Sequence, residues 1–193
     1  MTITRYLADA SKALSVAANT DLDGPISSAI KLLVNVLKNR KPLLICGNGG
    51  SAADAMHISG ELVGRYLLDR PPYKVISLGT DPVITSAWSN DFEYDSLFAR
   101  QVDALGEDGG ALWCLSTSGN SENVVQAAIA AKNKGMATIA FTGRGGGRLA
   151  DVDILVAVPF ESTPRIQEIH TCLYHYVCER LEHLLVNRQQ IKK

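Results

Sequence analysis

Five short apolar runs, at residues 43–46, 75–78, 111–115, 138–141 and 154–158, alternate with amphipathic stretches, and this alternation constrains the fold more than any other feature. Runs of this length and character suit strands of a parallel sheet covered on both faces. The stretches between them predict helices over 51–66, 81–89, 94–105 and 121–134, the last followed by Gly135 as a left-handed C-cap. Ahead of the first run, the chain up to Asn39 reads as two helices broken at Asp21-Leu22-Asp23-Gly24-Pro25. Beyond the break, Ile26, Ile30, Leu33, Val34 and Leu37 recur at helical spacing. A final long helix is predicted over 165–185. The expected fold class is α/β: a doubly wound, mainly five-stranded parallel sheet flanked by helices, with extra N-terminal helices and a long C-terminal helix. A length of 193 residues fits a single domain, 1–193.

Charge and cysteine usage narrow the partners. The formal net charge of −1 offers no basic excess for a phosphate backbone, so no nucleic-acid role is expected. The nearest candidate, Asn187-Arg188-Gln189-Gln190-Ile191-Lys192-Lys193, reads as a solvated C-terminus. No apolar run approaches the length of a membrane span, and Arg5, Asp9 and Lys12 interrupt the first segment in a way unlike a signal peptide. Cys46, Cys114, Cys172 and Cys178 form no Cys-x-x-Cys pair, and the first two fall in strand-like runs where buried free thiols are common. A reducing cytoplasm is the expected location.

In doubly wound folds, ligands collect beyond the carboxyl ends of the strands. Two loops there carry unusual chemistry. Cys46-Gly47-Asn48-Gly49-Gly50-Ser51 joins the first strand to its helix, and its glycines let backbone amides approach an anion at a helix N-terminus. The structural alternative is a tight turn with Ser51 as a cap. A dinucleotide fingerprint is imitated by Gly47, Gly49 and Ala52, but Asp81 comes too late for the ribose and starts a helix instead. Ser116-Thr117-Ser118-Gly119-Asn120-Ser121 ends the third strand, and its four hydroxyls beside a helix N-terminus suit one phosphate. A capped turn would account for Ser121 and Ser118 and leave Ser116 and Thr117 idle. A small phosphorylated ligand is expected, its phosphate on one loop and its polar body on the other.

Together with Arg165-Ile166-Gln167-Glu168-Ile169-His170, these two loops resemble the sugar-isomerase (SIS) domain family. Asp54-Ala55-Met56-His57 with Glu61, then Gly64-Arg65-Tyr66 and Asn90-Asp91-Phe92, are similar to its phosphoheptose isomerases. The resemblance implies conversion of sedoheptulose 7-phosphate to D-glycero-D-manno-heptose 7-phosphate, the first step toward bacterial nucleotide-activated heptoses, by a homotetramer with active sites between subunits. It implies zinc, held by His57, Glu61, Gln167 and His175. It places substrate contacts on Asn48, Gly49, Gly50, Ser51, Glu61, Asn90, Asp91, Ser116, Thr117, Ser118, Ser121 and Gln167. Gly60, where an acidic residue or Ala is often found, and Thr163-Pro164, where some relatives have Ala-Asp, depart from the pattern.

Ketose–aldose isomerisation through an enediol moves a proton between two carbons and needs a base, an acid and a polarised carbonyl. His57 and Glu61, four apart, share one helix face, as Gln167 and His175 do eight apart. His170 lies about 140° around the helix from His175 and points elsewhere. Glu61 is therefore expected to be the general base and His175 its partner acid/base, with His57 and Gln167 positioning groups or metal ligands. The plainer alternatives are a surface His57–Glu61 pair and a packed His175. A rival of another class is a non-catalytic SIS protein that binds sugar phosphates or associates with a replication initiator, a type lacking the His, Glu and second His present here.

Overall fold

The computed structural model describes residues 1–186, so the basic tail from Asn187 onward lies outside the described residues. Two helices, α1 (Ile3–Ala18) and α2 (Asp23–Lys38), precede β1 (Leu43–Gly47), α3 (Gly50–Val63), β2 (Val75–Ser77) and α4 (Pro82–Asp91). A 3-10 turn (Tyr94–Ser96) then leads into α5 (Leu97–Leu105), β3 (Ala111–Ser116), α6 (Glu122–Asn133) and β4 (Ala137–Thr142). After β5 (Ile154–Ala157), α7 (Thr163–Leu185) ends the described chain. The strands form one all-parallel sheet in the order β2-β1-β3-β4-β5.

Period-two alternation along buried strands splits the core into two layers. Leu43, Ile45, Trp113, Leu115 and Phe141 face α2, α3 and α7. Leu44, Cys46, Leu112, Cys114 and Ala140 face α5 and α6. Cys46 and Cys114 are in register, buried and unlinked, with their sulfurs 4.0 Å apart. The chain leaves β1 toward β2 on one side and returns to β3 on the other, which makes the β1/β3 boundary the switch point of the sheet. Gly47 pairs with Leu115 there, so the two ligand-type loops start side by side.

Helix ends follow local chemistry. Asp81 caps α4 by accepting the Val83 and Ile84 amides, and Pro82 opens its first turn. Pro164 likewise lies in the first turn of α7, so Thr163-Pro164 is compatible with the helix. Gly135 takes φ +72° behind α6, as expected of a left-handed residue after a helix. The helix expected over 51–66 stops at Val63, because Gly64 leaves helical geometry and residues 64–74 run as a loop. The helix expected from 94 opens as the 3-10 turn. Ser51 is not a cap: it is buried inside the first turn of α3, whose N-cap is Gly49. Two surfaces stay apolar and open in the single chain. Ile3, Leu7 and Val16 of α1 are exposed, and α4 has no buried residue although it carries Val83 and Ile84.

Candidate active site

Helix α3 leaves the switch point with Asp54, His57 and Glu61 three and seven residues apart on one face, and α7 packs beside it. Three side chains converge between them. His57 Nε2 lies 3.0 Å from Glu61 Oε1 and 3.5 Å from His175 Nε2, and ligand atoms of all three fall within 4.8 Å of one another. Behind His57, the Tyr174 hydroxyl meets Nδ1 at 2.9 Å and also lies 3.5 Å from Asp54 Oδ1. This outer contact fixes which His57 nitrogen faces inward. Burial raises the Asp54 carboxyl above its ordinary range, opposed by Tyr174 and His57, and Asp54 Oδ2 is buried without a hydrogen-bond partner. Burial lowers the His175 pKa, and the neighbouring His57 adds to this while Glu61 opposes it.

The donor set suits zinc. Donors about 2.0–2.2 Å from a tetrahedral zinc lie roughly 3.3–3.6 Å apart, which the two contacts of His57 already approach. Two imidazoles and a carboxylate supply three ligands and leave room for a fourth. Gln167 comes from the same helix as His175, and its amide lies against Gly50 in the first turn of α3.

The two loops are differently built. Asn48 and the buried Asn123 of α6 exchange amide hydrogen bonds of 2.8 and 2.9 Å, and the Tyr94 hydroxyl donates to Asn48 Oδ1 at 2.8 Å. In the second loop, Ser116 Oγ accepts the Gly119 amide at 3.1 Å and lies 3.4 Å from Ser121 Oγ. Ser118 Oγ accepts the Asn120 amide at 3.1 Å, and Thr117 Oγ1 lies 3.5 Å from Thr163 Oγ1 of α7. Ser116, which a capped turn alone was expected to leave idle, thus has a structural role in bracing the turn. Ser121 is the N-cap of α6 and makes no side-chain cap bond, so its hydroxyl and the first-turn amides can meet an anion. Asn90 and Asp91 sit apart from both loops in the hydrogen-bond network: they are exposed at the end of α4 and bond each other at 2.9 Å.

Four contributors escaped the sequence reading. Asp54 shares a helix face with His57 and Glu61, and that spacing is the signal that could have given it a role. Tyr174, Asn123 and Tyr94 offered none, because their partners are distant in sequence. His170 is turned away, as expected, and its Nε2 meets the Thr142 carbonyl at 3.2 Å.

Comparison with known proteins places the chain in a family. Residues 5–143 match the SIS domain family. The chain is 46% identical over 169 residues to a phosphoheptose isomerase of Laribacter hongkongensis, covering 86% of each. A phosphoheptose isomerase structure from Neisseria gonorrhoeae superposes with a TM-score of 0.87 at 39% identity, covering 94% of this chain and 97% of that one. Another, from Francisella tularensis, gives 0.89 at 34% identity, covering 95% and 100%. The chain belongs to the phosphoheptose isomerase branch of the SIS-domain family.

Proposed function

We propose that this chain is a ketose–aldose isomerase that converts sedoheptulose 7-phosphate to D-glycero-D-manno-heptose 7-phosphate in the cytoplasm, the first step toward nucleotide-activated heptoses of bacterial lipopolysaccharide. The observation that carries the chemistry is the convergence of Glu61, His57 and His175 next to two loops at the sheet's switch point. Among the described residues, no helix is long and apolar enough to cross a membrane.

Ser121, Thr117 and Ser118, with the N-terminus of α6, hold the phosphate. Asn48, Gly49, Gly50 and Ser51 face the sugar, with the Asn48 amide oriented by Asn123 and Tyr94. Glu61 takes the proton from one carbon, and His175 exchanges a proton with the substrate oxygens. Zinc would be held by His57, Glu61, Gln167 and His175, and would supply Lewis-acid polarisation of the carbonyl. Glu61 has two carboxylate oxygens, so binding a metal through one leaves the other able to accept a proton. Asn90 and Asp91 reach substrate in a homotetramer with shared sites, a reading supported by the exposed apolar residues of α1 and by α4, which buries nothing of its own.

The direct test offers the protein a panel of ketose phosphates in heavy water and follows deuterium by NMR. Sedoheptulose 7-phosphate should exchange at its carbonyl-adjacent carbon; exchange with none of the panel would overturn the reading. Ser121→Ala should raise KM about fivefold with kcat nearly unchanged, because a phosphate contact worth roughly 1 kcal/mol serves ground and transition states alike. A collapsed kcat at constant KM would put the phosphate elsewhere. For the shared site, mixing Glu61→Gln with Asp91→Asn subunits should restore activity above either alone, whereas a fully active monomer in light scattering would exclude it.

A further inference from the structure

One buried charge pair lies outside the chemistry assigned above. Arg70 Nε and Glu182 Oε1 are 3.0 Å apart, with side chains 0% and 1% exposed. Such a pair gains little net stability over apolar residues of similar size, since both charges are desolvated. What it does here is hold backbone. Glu182 accepts the amides of Tyr66, Leu67 and Leu68 at 2.7–2.9 Å, although burial by itself would raise its pKa; those amides and Arg70 outweigh burial and leave it lowered. Arg70 donates to the carbonyls of Glu61 at 2.6 Å, Leu62 at 2.8 Å and Gly64 at 3.2 Å. The last carbonyls of a helix have no intrahelical partner, so Arg70 caps α3 at the turn that carries Glu61.

The same strap reaches His175. Glu182 follows His175 by seven residues, on the same face of α7 and about 10 Å further along. The Tyr66 amide is held by Glu182, and the Tyr66 ring stacks on the His175 imidazole, with centroids 5.8 Å apart and planes 22° from parallel. Tyr174 and His57 also pack on that imidazole, edge-on, with centroids 4.8 and 5.0 Å away. Without the Tyr66 ring, the imidazole face it stacks on loses its support, and His175 regains other rotamers.

We propose that Tyr66 is a positioning residue, its ring holding the His175 imidazole toward Glu61 and His57, with the Arg70–Glu182 pair anchoring the strap that carries it. The proposal rests on the reading that Glu61 and His175 perform the chemistry. Misplacing a reacting group by a fraction of its length is costly, with about a hundredfold in rate for 1 Å. Tyr66→Leu leaves the backbone amide on Glu182 and removes only the ring. It should lower kcat about 10- to 100-fold while KM changes less than about threefold. Tyr66→Phe keeps the ring and should stay within about twofold of the parent in both.

Turnover is not the sole readout. The ring current of Tyr66 acts on the His175 Cε1 proton, so that resonance, assigned by its loss in His175→Gln, should move in Tyr66→Leu and stay in Tyr66→Phe. Should Tyr66→Leu fail to fold, Tyr66→Met carries the same comparison. Unchanged kcat in the ring-less variant overturns the proposal. So does a Tyr66→Phe variant as damaged as Tyr66→Leu, because the hydroxyl would then be the working group. If Glu61→Gln keeps its turnover, the parent reading fails instead, and the resonance still reports whether the ring holds His175.

Discussion

Glu61→Gln is expected to lower kcat by roughly a hundred- to ten-thousand-fold while the protein stays folded, the usual range for losing a general base. Gln retains the length of Glu61 and an oxygen to face His57, which lies 3.0 Å away, but cannot accept a proton. His175→Gln should cause a fall of similar size. The double variant should lose far less than the product of the two, since residues acting as a unit are not additive. Both positions also belong to the candidate zinc set, so zinc content must be measured beside turnover. If the metal polarises the carbonyl, a chelator lowers parent activity and zinc restores it, whereas Glu61→Gln stays slow in saturating zinc. Turnover near the parent level in Glu61→Gln would remove Glu61 from the chemistry and require another base, whereas a parent with no turnover of sedoheptulose 7-phosphate would point to a sugar-phosphate-binding protein.

Much of the frame was legible in the sequence because it rests on local periodicity. All five apolar runs became strands, each within a residue or two, because parallel strands buried on both faces must be apolar throughout. The loops were legible because glycine and hydroxyl residues serve few purposes between a strand and a helix. On α3, His57 and Glu61 could be paired from spacing alone. Where reading failed, the cause was either local turn geometry or a partner far along the chain. Ser116 was expected to lack a structural role, yet it bonds the Gly119 amide three residues away, a turn geometry that residue type does not reveal. Asn48 meets Asn123 across 75 residues, Tyr174 meets His57 across 117 and Arg70 meets Glu182 across 112. No period links such pairs. The helix over 51–66 ran three residues too far for the same reason: the carboxylate that takes the amides of residues 66–68 belongs to α7.

His170 is expected to make the fold markedly acid-sensitive. It is 0% exposed on α7, its ring edge-on to Phe141 at 5.7 Å, with Nδ1 buried and unpartnered and Nε2 on the Thr142 carbonyl. Burial drives its pKa down to about 4, against the Thr142 contact, which acts to raise it. The sign follows from proton binding. An unfolded chain protonates His170 near pH 6.5, whereas the folded chain refuses the proton until about pH 4. Stability from keeping this imidazole neutral is therefore complete above pH 6.5, falls as the pH drops, and is lost once the folded group protonates near pH 4. The total is about 3 kcal/mol, a large share of the 5–15 kcal/mol that holds an ordinary domain. His170→Gln keeps an N–H for the Thr142 carbonyl and cannot titrate. Urea unfolding of parent and variant at one protein concentration, from pH 7.5 to 4, should show the parent losing about 3 kcal/mol more than the variant. Other acid-sensitive groups cancel in that difference, Asp54 and Glu182 included. Two curves that stay parallel through this window would mean that the His170 proton is accommodated in the folded core.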